Sequence, residues 1–133
     1  MIGLSRALGL PLHVWSQCRG VWGISADGEA APEDDQETDA LAVLQRIHAA
    51  EEPGLWLLED FHPFLRTEHH PVLRWLRELA RLPTSPRKVV VLSTPATGLP
   101  HDLCKEVPTL ELPLPGVADL REVFEQVASA TGV

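Results

Sequence analysis

Two short apolar runs, Leu55-Trp56-Leu57-Leu58 and Val89-Val90-Val91-Leu92, most constrain the fold of this chain. A strand covered on both faces reads as an unbroken hydrophobic run, whereas a strand with one wet face alternates. The second run is also β-branched, which suits a pleated backbone, and with its flanks it predicts a strand over Lys88–Ser93. Both runs belong in the interior of a parallel sheet, and parallel strands need a crossover connection between them.

The intervening sequence supplies that crossover. Steps of 100° from Val72 to Leu82 place Val72, Leu73, Trp75, Leu76, Leu79, Ala80 and Leu82 on one half of a helix, with Arg74, Arg77, Glu78 and Arg81 opposite. Pro83-Thr84-Ser85-Pro86 ends the helix. Upstream, Leu12–Ser16 alternates and predicts a short strand, running on as an irregular extended segment through Val21-Trp22-Gly23-Ile24. Thr38 or Asp39 can cap a helix whose apolar positions are Ala40, Leu41, Leu44 and Ile47, and Pro53-Gly54 stops it.

Downstream, a turn or short helix is expected from Pro100 to Lys105. Thr109–Leu112, between Pro108 and Pro113, predicts a weaker strand near a sheet edge. Asp119 and Glu122 have capping-box spacing ahead of the stripe Leu120, Val123, Phe124 and Val127, which predicts a final helix. Strands alternating with helices predict an α/β fold: one domain over 1–133, a three-layer, open, mainly parallel sheet with helices on both faces.

Charge narrows the function classes. The chain has 11 basic and 19 acidic side chains, a net charge of −8. Seven of the acids fall between Asp27 and Asp39 without a Lys or Arg, so residues 26–38 read as a solvated acidic loop. Outside that window 12 acids face 11 bases, which gives no electrostatic case for a nucleic-acid partner. No stretch approaches the roughly 18 apolar residues of a membrane span, and Met1–Leu12 has no secretory pattern. The expectation is a cytoplasmic protein with no membrane partner. Cys18 and Cys104 lack metal or redox spacing.

Open parallel sheets bind ligands outside the carboxyl ends of their strands. Three such ends carry polar residues: Ser16-Gln17, Glu59-Asp60 and Ser93-Thr94. Adjacent carboxylates after an apolar strand are how a nucleotide hydrolase holds magnesium and polarises water, with a neighbouring hydroxyl sensing the terminal phosphate. Here the order is Glu59 then Asp60, and strand alternation sends the two side chains to opposite faces. A phosphate loop needs clustered glycines followed by Lys-Ser or Lys-Thr. The two lysines, Lys88 and Lys105, have no such glycines, so this chain has no phosphate loop.

Other candidates read more simply as structure. His62, His69 and His70 with Glu68 lack the i,i+4 pairing that puts two imidazoles on one helix face, so no metal site is expected. Arg74, Arg77 and Arg81 could meet phosphate or an acidic partner, but with Glu78 among them they read as a wet helix face. Trp15, Trp22, Trp56 and Trp75 have no basic stripe beside them and read as core filler. Ser16, Ser93 and Thr94 have no evident His-Asp partnership.

The order of segments resembles a known family. Leu12–Gly20, Leu57–Leu65, Val72–Ala80, Val89–Pro95 and Leu110–Pro115 are similar to the N-terminal, ATPase-like half of the AAA-type ATPases of cyanobacteria, plastids and many bacteria. The phrase Asp60-Phe61-His62-Pro63-Phe64-Leu65 and the arginine-leucine helix are its most specific pieces, and the likeness runs from about Leu4 to Val127. The resemblance implies a degenerate P-loop NTPase-like domain that precedes a complete AAA module. Glu59 and Asp60 would stand where the magnesium-binding and catalytic carboxylates sit, and Ser93 or Thr94 where the phosphate sensor sits.

The resemblance also implies that the chain begins inside the helix after the first strand, so that this strand and its phosphate loop are absent, and ends before the AAA module. That first strand would lie between the sensor-bearing strand and the last one. Without it, Val89–Leu92 exposes an unpaired edge unless Thr109–Leu112 shifts or another chain fills the gap. A shortened gene start, a split gene or a remnant that pairs with a partner would each give this arrangement. The expected function is a noncatalytic module that contacts an AAA ATPase module or a second copy of itself, without a cofactor of its own. Two other readings stay open. In one, residues upstream or a partner chain supply the phosphate loop, and ATP and magnesium (through Glu59 or Asp60) are cofactors. In the other, the chain is a signalling receiver with Asp60 as phosphoacceptor and Thr94 as switch, although Ser16-Gln17 and Leu114-Pro115 stand where a receiver needs an acidic pair and a lysine.

Overall fold

The structure, a computed structural model, describes residues 1–95 and 98–132. In chain order the elements are α1 (Ile2–Leu8), β1 (Leu12–Ser16), β2 (Gly20–Ile24), β3 (Ala30–Asp34), α2 (Ala40–Ala49), β4 (Gly54–Leu58), a 3-10 turn (His62–Phe64), α3 (His70–Ala80), β5 (Lys88–Leu92) and α4 (Val117–Thr131). The strands form one sheet in the order β3-β2-β1-β4-β5.

The two apolar runs are β4 and β5, parallel neighbours with Leu55 opposite Val89 and Leu58 opposite Leu92. β1 pairs parallel with β4 on the other side, Leu12 opposite Leu55. The remaining half departs from the expected mainly parallel sheet. After Ser16 the chain reverses instead of running on, and β2 pairs antiparallel with β1, Leu12 opposite Ile24 and Ser16 opposite Gly20. Gly20 makes the reversal possible: its φ is +67°, and a Cβ there would collide with the Asp34 carbonyl and lie 2.8 Å from the Asp35 backbone.

The acidic segment is also more ordered than a solvated loop. Ala30–Asp34 pairs antiparallel with β2, with a register shift between Val21 and Trp22. Polarity alone reads this stretch as loop; the free edge of β2 turns it into a strand. The sheet is therefore mixed: its β1-β4-β5 half is parallel, and its β3-β2-β1 half is antiparallel.

Both crossovers step the sheet in the same direction, so α2 and α3 fall on the same face and pack on each other. Asp39 caps α2 by accepting the Ala42 N–H at 2.8 Å. Beneath these helices lies the main core, built from Trp15, Val43, Leu44, Ile47, Leu58 and Phe61, all fully buried. The opposite face is covered more thinly. There α1 brings Ile2 and Leu8 against Leu12 and Leu55, while Val14, Leu57, Val89 and Val91 are only partly buried.

Thr109–Leu112 forms no strand; it is exposed and unpaired, and Leu110 and Leu112 are 91% and 88% exposed. The final helix forms, but its stripe of Leu120, Val123, Phe124 and Val127 faces solvent. Its cap is one turn earlier than expected: the Asp119 carboxylate accepts the Gly116 N–H at 2.8 Å. Among the described residues no helix is long and apolar enough to cross a membrane.

Candidate functional site

Because β1, β4 and β5 are parallel, their carboxyl ends lie side by side and bring the three polar pairs together. Backbone bonds extend the ladder past the strands. The Glu59 N–H donates to the Trp15 carbonyl (2.9 Å), the Ser93 N–H to the Leu58 carbonyl (2.9 Å), and the Phe61 N–H to the Ser93 carbonyl (3.1 Å). Between Glu59 and Phe61 the chain must leave the sheet and send the Phe61 ring into the core. Asp60 makes that turn in the left-handed region, with φ 51°.

The two carboxylates consequently meet different surroundings. Glu59 Oε2 accepts from the Arg19 guanidinium at 3.0 Å, while the Asp60 side chain is exposed. The Ser16 hydroxyl accepts the Arg19 N–H at 3.2 Å and so helps shape the β1–β2 turn. Ser93 and Thr94 are exposed at the end of β5. Arg19 was not legible as a neighbour of Glu59, because the two meet only through the hairpin.

The histidines spread over the surface rather than converge. His62 opens the 3-10 turn, His69 sets its ring edge-on to Phe64 with centroids 6.1 Å apart, and His70 starts α3. Glu68 is exposed. Among the described residues no group of three or more His, Cys, Asp or Glu side chains is placed to hold a metal ion.

The arginines of α3 border a shallow groove of about 440 Å³, lined by His70, Arg74, Arg77, Glu78, Arg81 and Asp102 among others. Two of the three are engaged with the segment that follows β5. Arg81 bonds Glu106 at 2.7 Å, and Arg77 donates to the Asp102 carbonyl at 3.3 Å. The hydrogen bond and charge of Glu106 raise the Arg81 pKa above its ordinary value. The face works as a clasp that seats Leu103, fully buried, against the helices.

A cluster that sequence reasoning missed ties β3 to β1, β4 and α2. His13 stacks on Trp56 with centroids 4.2 Å apart, and its Nδ1 sits 2.8 Å from Glu33. Arg46 of α2 reaches Asp34 at 3.0 Å and Glu33 at 3.6 Å. These contacts fasten the acidic strand to the helical layer. The available signal was that His13 and Trp15 share a strand face, and Trp15 points into the core with its indole N–H donating to the Glu37 carbonyl at 2.7 Å.

Comparison with known families decides the kinship. Residues 2–112 match the family described as the SpoVK-like AAA ATPase, N-terminal domain. The chain belongs to that family. No curated protein and no solved structure matches it. In this SpoVK-like N-terminal domain the matched stretch spans α1 to β5 and the clasped segment, so the sheet and its helical layer are the family's α/β unit. Most of the exposed run that ends in α4 lies beyond the match.

Proposed function

We propose that this N-terminal domain is a noncatalytic, degenerate ATPase-like module that works through protein contacts, with an AAA ATPase module or a second copy of itself as partner. The observation that carries the reading is the surface. Among the described residues no strand pairs with the outer side of β5, and Leu110, Leu112, Leu114 and Phe124 are between 72% and 92% exposed. Large apolar side chains exposed one after another along a stretch of chain mark an interaction site.

The sequence supports the noncatalytic half of the proposal. It has no glycine cradle with Lys-Ser or Lys-Thr to wrap a triphosphate, and Glu59 is already paired with Arg19. The finer kinship is a P-loop-like sheet of the cyanobacterial and plastid type without a first strand beside β5. It draws support from the Asp60–Leu65 phrase, the arginine-leucine helix and the open β5 edge.

The test is calorimetric titration of the purified chain with ATP and magnesium, paired with a phosphate-release assay. No saturable binding and no turnover is the expected result. ATP turnover at enzyme-like rates, lost in Glu59→Gln/Asp60→Asn, would overturn the proposal and leave the chain an ATPase part in its own right.

A further inference from the structure

The sheet has two edges, and they differ chemically. β3 carries Pro32, Glu33 and Asp34, and such charges and prolines discourage a further strand. β5 has neither a proline nor a charged residue after Lys88. The Gly54 N–H donates to the Arg87 carbonyl and the Ser93 N–H to the Leu58 carbonyl. Odd-numbered residues from 87 to 93 therefore turn their backbone groups to β4, while Lys88, Val90 and Leu92 turn theirs outward. β5 is a strand-accepting edge.

The same chain carries a segment shaped to fill such an edge. In Thr109–Pro115, Leu110, Leu112 and Leu114 alternate and are 91%, 88% and 92% exposed. When extended, these leucines present their N–H and C=O groups along one edge, and Thr109, Glu111, Pro113 and Pro115 present theirs along the other. Pro113 and Pro115 remove donors only from the second edge, and Pro108, on the leucine edge, lies ahead of the first leucine. Paired through its leucines, the segment adds one strand and closes the sheet. Just beyond it, α4 displays Leu120, Val123, Phe124 and Val127 to solvent, and the sheet face at Val14, Leu57, Val89 and Val91 is only partly covered.

We propose that residues 108–127 of one copy are exchanged onto the β5 edge of a second copy, and reciprocally, to give a two-fold strand-exchanged dimer. The inference rests on the protein-contact reading above and names its partner. Donor and acceptor occur once each per chain, so two copies use both and close the assembly. The charges agree as well. The donor has Glu111, Asp119, Glu122 and Glu125 against a single Arg121, whereas Arg87 leads into the acceptor strand, Lys88 being bonded to the His48 carbonyl at 2.8 Å.

The acidic β3 edge lies four strand spacings away, roughly 19 Å, so its charge stays clear of the contact. The eight exposed apolar side chains between Leu110 and Val127 offer on the order of 1,000 Å² per chain, and burying two such sets exceeds the ~1,600 Å² of a standard interface. The hinge is set by the clasp: Leu103 is buried and Glu106 is held by Arg81, so exchange begins after Val107.

Sedimentation velocity on the full chain, from micromolar to sub-millimolar concentration, tests the inference together with amide exchange. The wild type is expected to dimerise, with the Val90, Leu92, Leu110 and Leu112 amides gaining protection in step with dimer. Leu112→Asp/Phe124→Glu alters only residues exposed in the single chain, so circular dichroism should be unchanged while the dimer dissociation constant rises at least about 100-fold. Val90→Pro, which removes an outward N–H, should also give monomer, and an equimolar mixture of the two variants should give a heterodimer joined by one exchanged arm, weaker than the wild-type dimer.

A wild type that stays monomeric overturns the exchange. Concentration-independent protection of these amides would then mean that the segment folds back on its own β5, and fast exchange would mean that a foreign chain fills the edge. Dimers that survive the Leu112→Asp/Phe124→Glu change also sink it. None of these outcomes touches the noncatalytic reading, which fails only by ATP turnover.

Discussion

Asp60 is the single non-glycine residue among the described residues with a positive φ, 51°, and its side chain is exposed. Its place in the fold is thus set by backbone geometry: the chain must turn sharply between the Glu59 N–H bonded to the Trp15 carbonyl and the buried Phe61 ring. Aspartate tolerates this region better than most residues, glycine best and β-branched residues worst. Asp60→Gly should leave stability unchanged or slightly raised, and Asp60→Val should lower it by about 1–2 kcal/mol, read from urea midpoints. Asp60→Asn should behave like the wild type; a loss in Asn as large as in Val would show that charge, not conformation, holds the position. The adjacent carboxylates were legible in the sequence as a pair at a strand end. Their separate fates were not, since the Arg19 partner of Glu59 is 40 residues away along the chain.

Among the elements, those whose pattern is local formed where the periodicity placed them. The helix capped by Asp39 buries Val43, Leu44 and Ile47, and the helix of the arginine face buries Val72, Leu73 and Leu76. Asp39→Ala should cost about 1 kcal/mol, with Asp39→Asn retaining most of it, in thermal or urea unfolding. Elements whose existence or direction depends on a neighbour do not follow from local pattern. Gly20–Ile24 has the same composition whether it continues β1 or returns beside it, and only the pairing with Leu12–Ser16 distinguishes the two. Ala30–Asp34 reads as loop because it is acidic and contains Pro32, yet β2 supplies its ladder and Arg46 and His13 supply counter-charge and a hydrogen-bond partner. Thr109–Leu112 shows the converse: strand-like alternation with no ladder among the described residues.

For the whole molecule, the division lies near Val107. Both cores are built from residues up to Val107; beyond it, from Pro108 to Gly132, every residue is exposed except half-buried Ala128. In dilute solution, limited proteolysis should therefore cut first within residues 108–132 and leave the body intact, as intact mass would show. Trp15, Trp22, Trp56 and Trp75 all lie in the body, so tryptophan emission should not shift when the tail is lost. Cleavage inside β1–β5 before the tail would contradict this division. At concentrations where the exchanged dimer forms, the same sites should become protected.

What the sequence determined by itself is the succession of strand and helix from Asp39 to Leu92, because burial on one face or two writes a period of 3.6 or an unbroken apolar run into neighbouring residues. It also determined that neither Lys88 nor Lys105 follows clustered glycines, a property of residue types at fixed spacing. Only the tertiary structure decided that the sheet is mixed, that Glu59 meets Arg19, that the acidic stretch becomes an edge strand, and that β5 and the leucine segment both lie open. Each of these is a pairing between distant segments, and hydrogen-bond ladders and ion pairs leave no local periodicity from which such a pairing could be read.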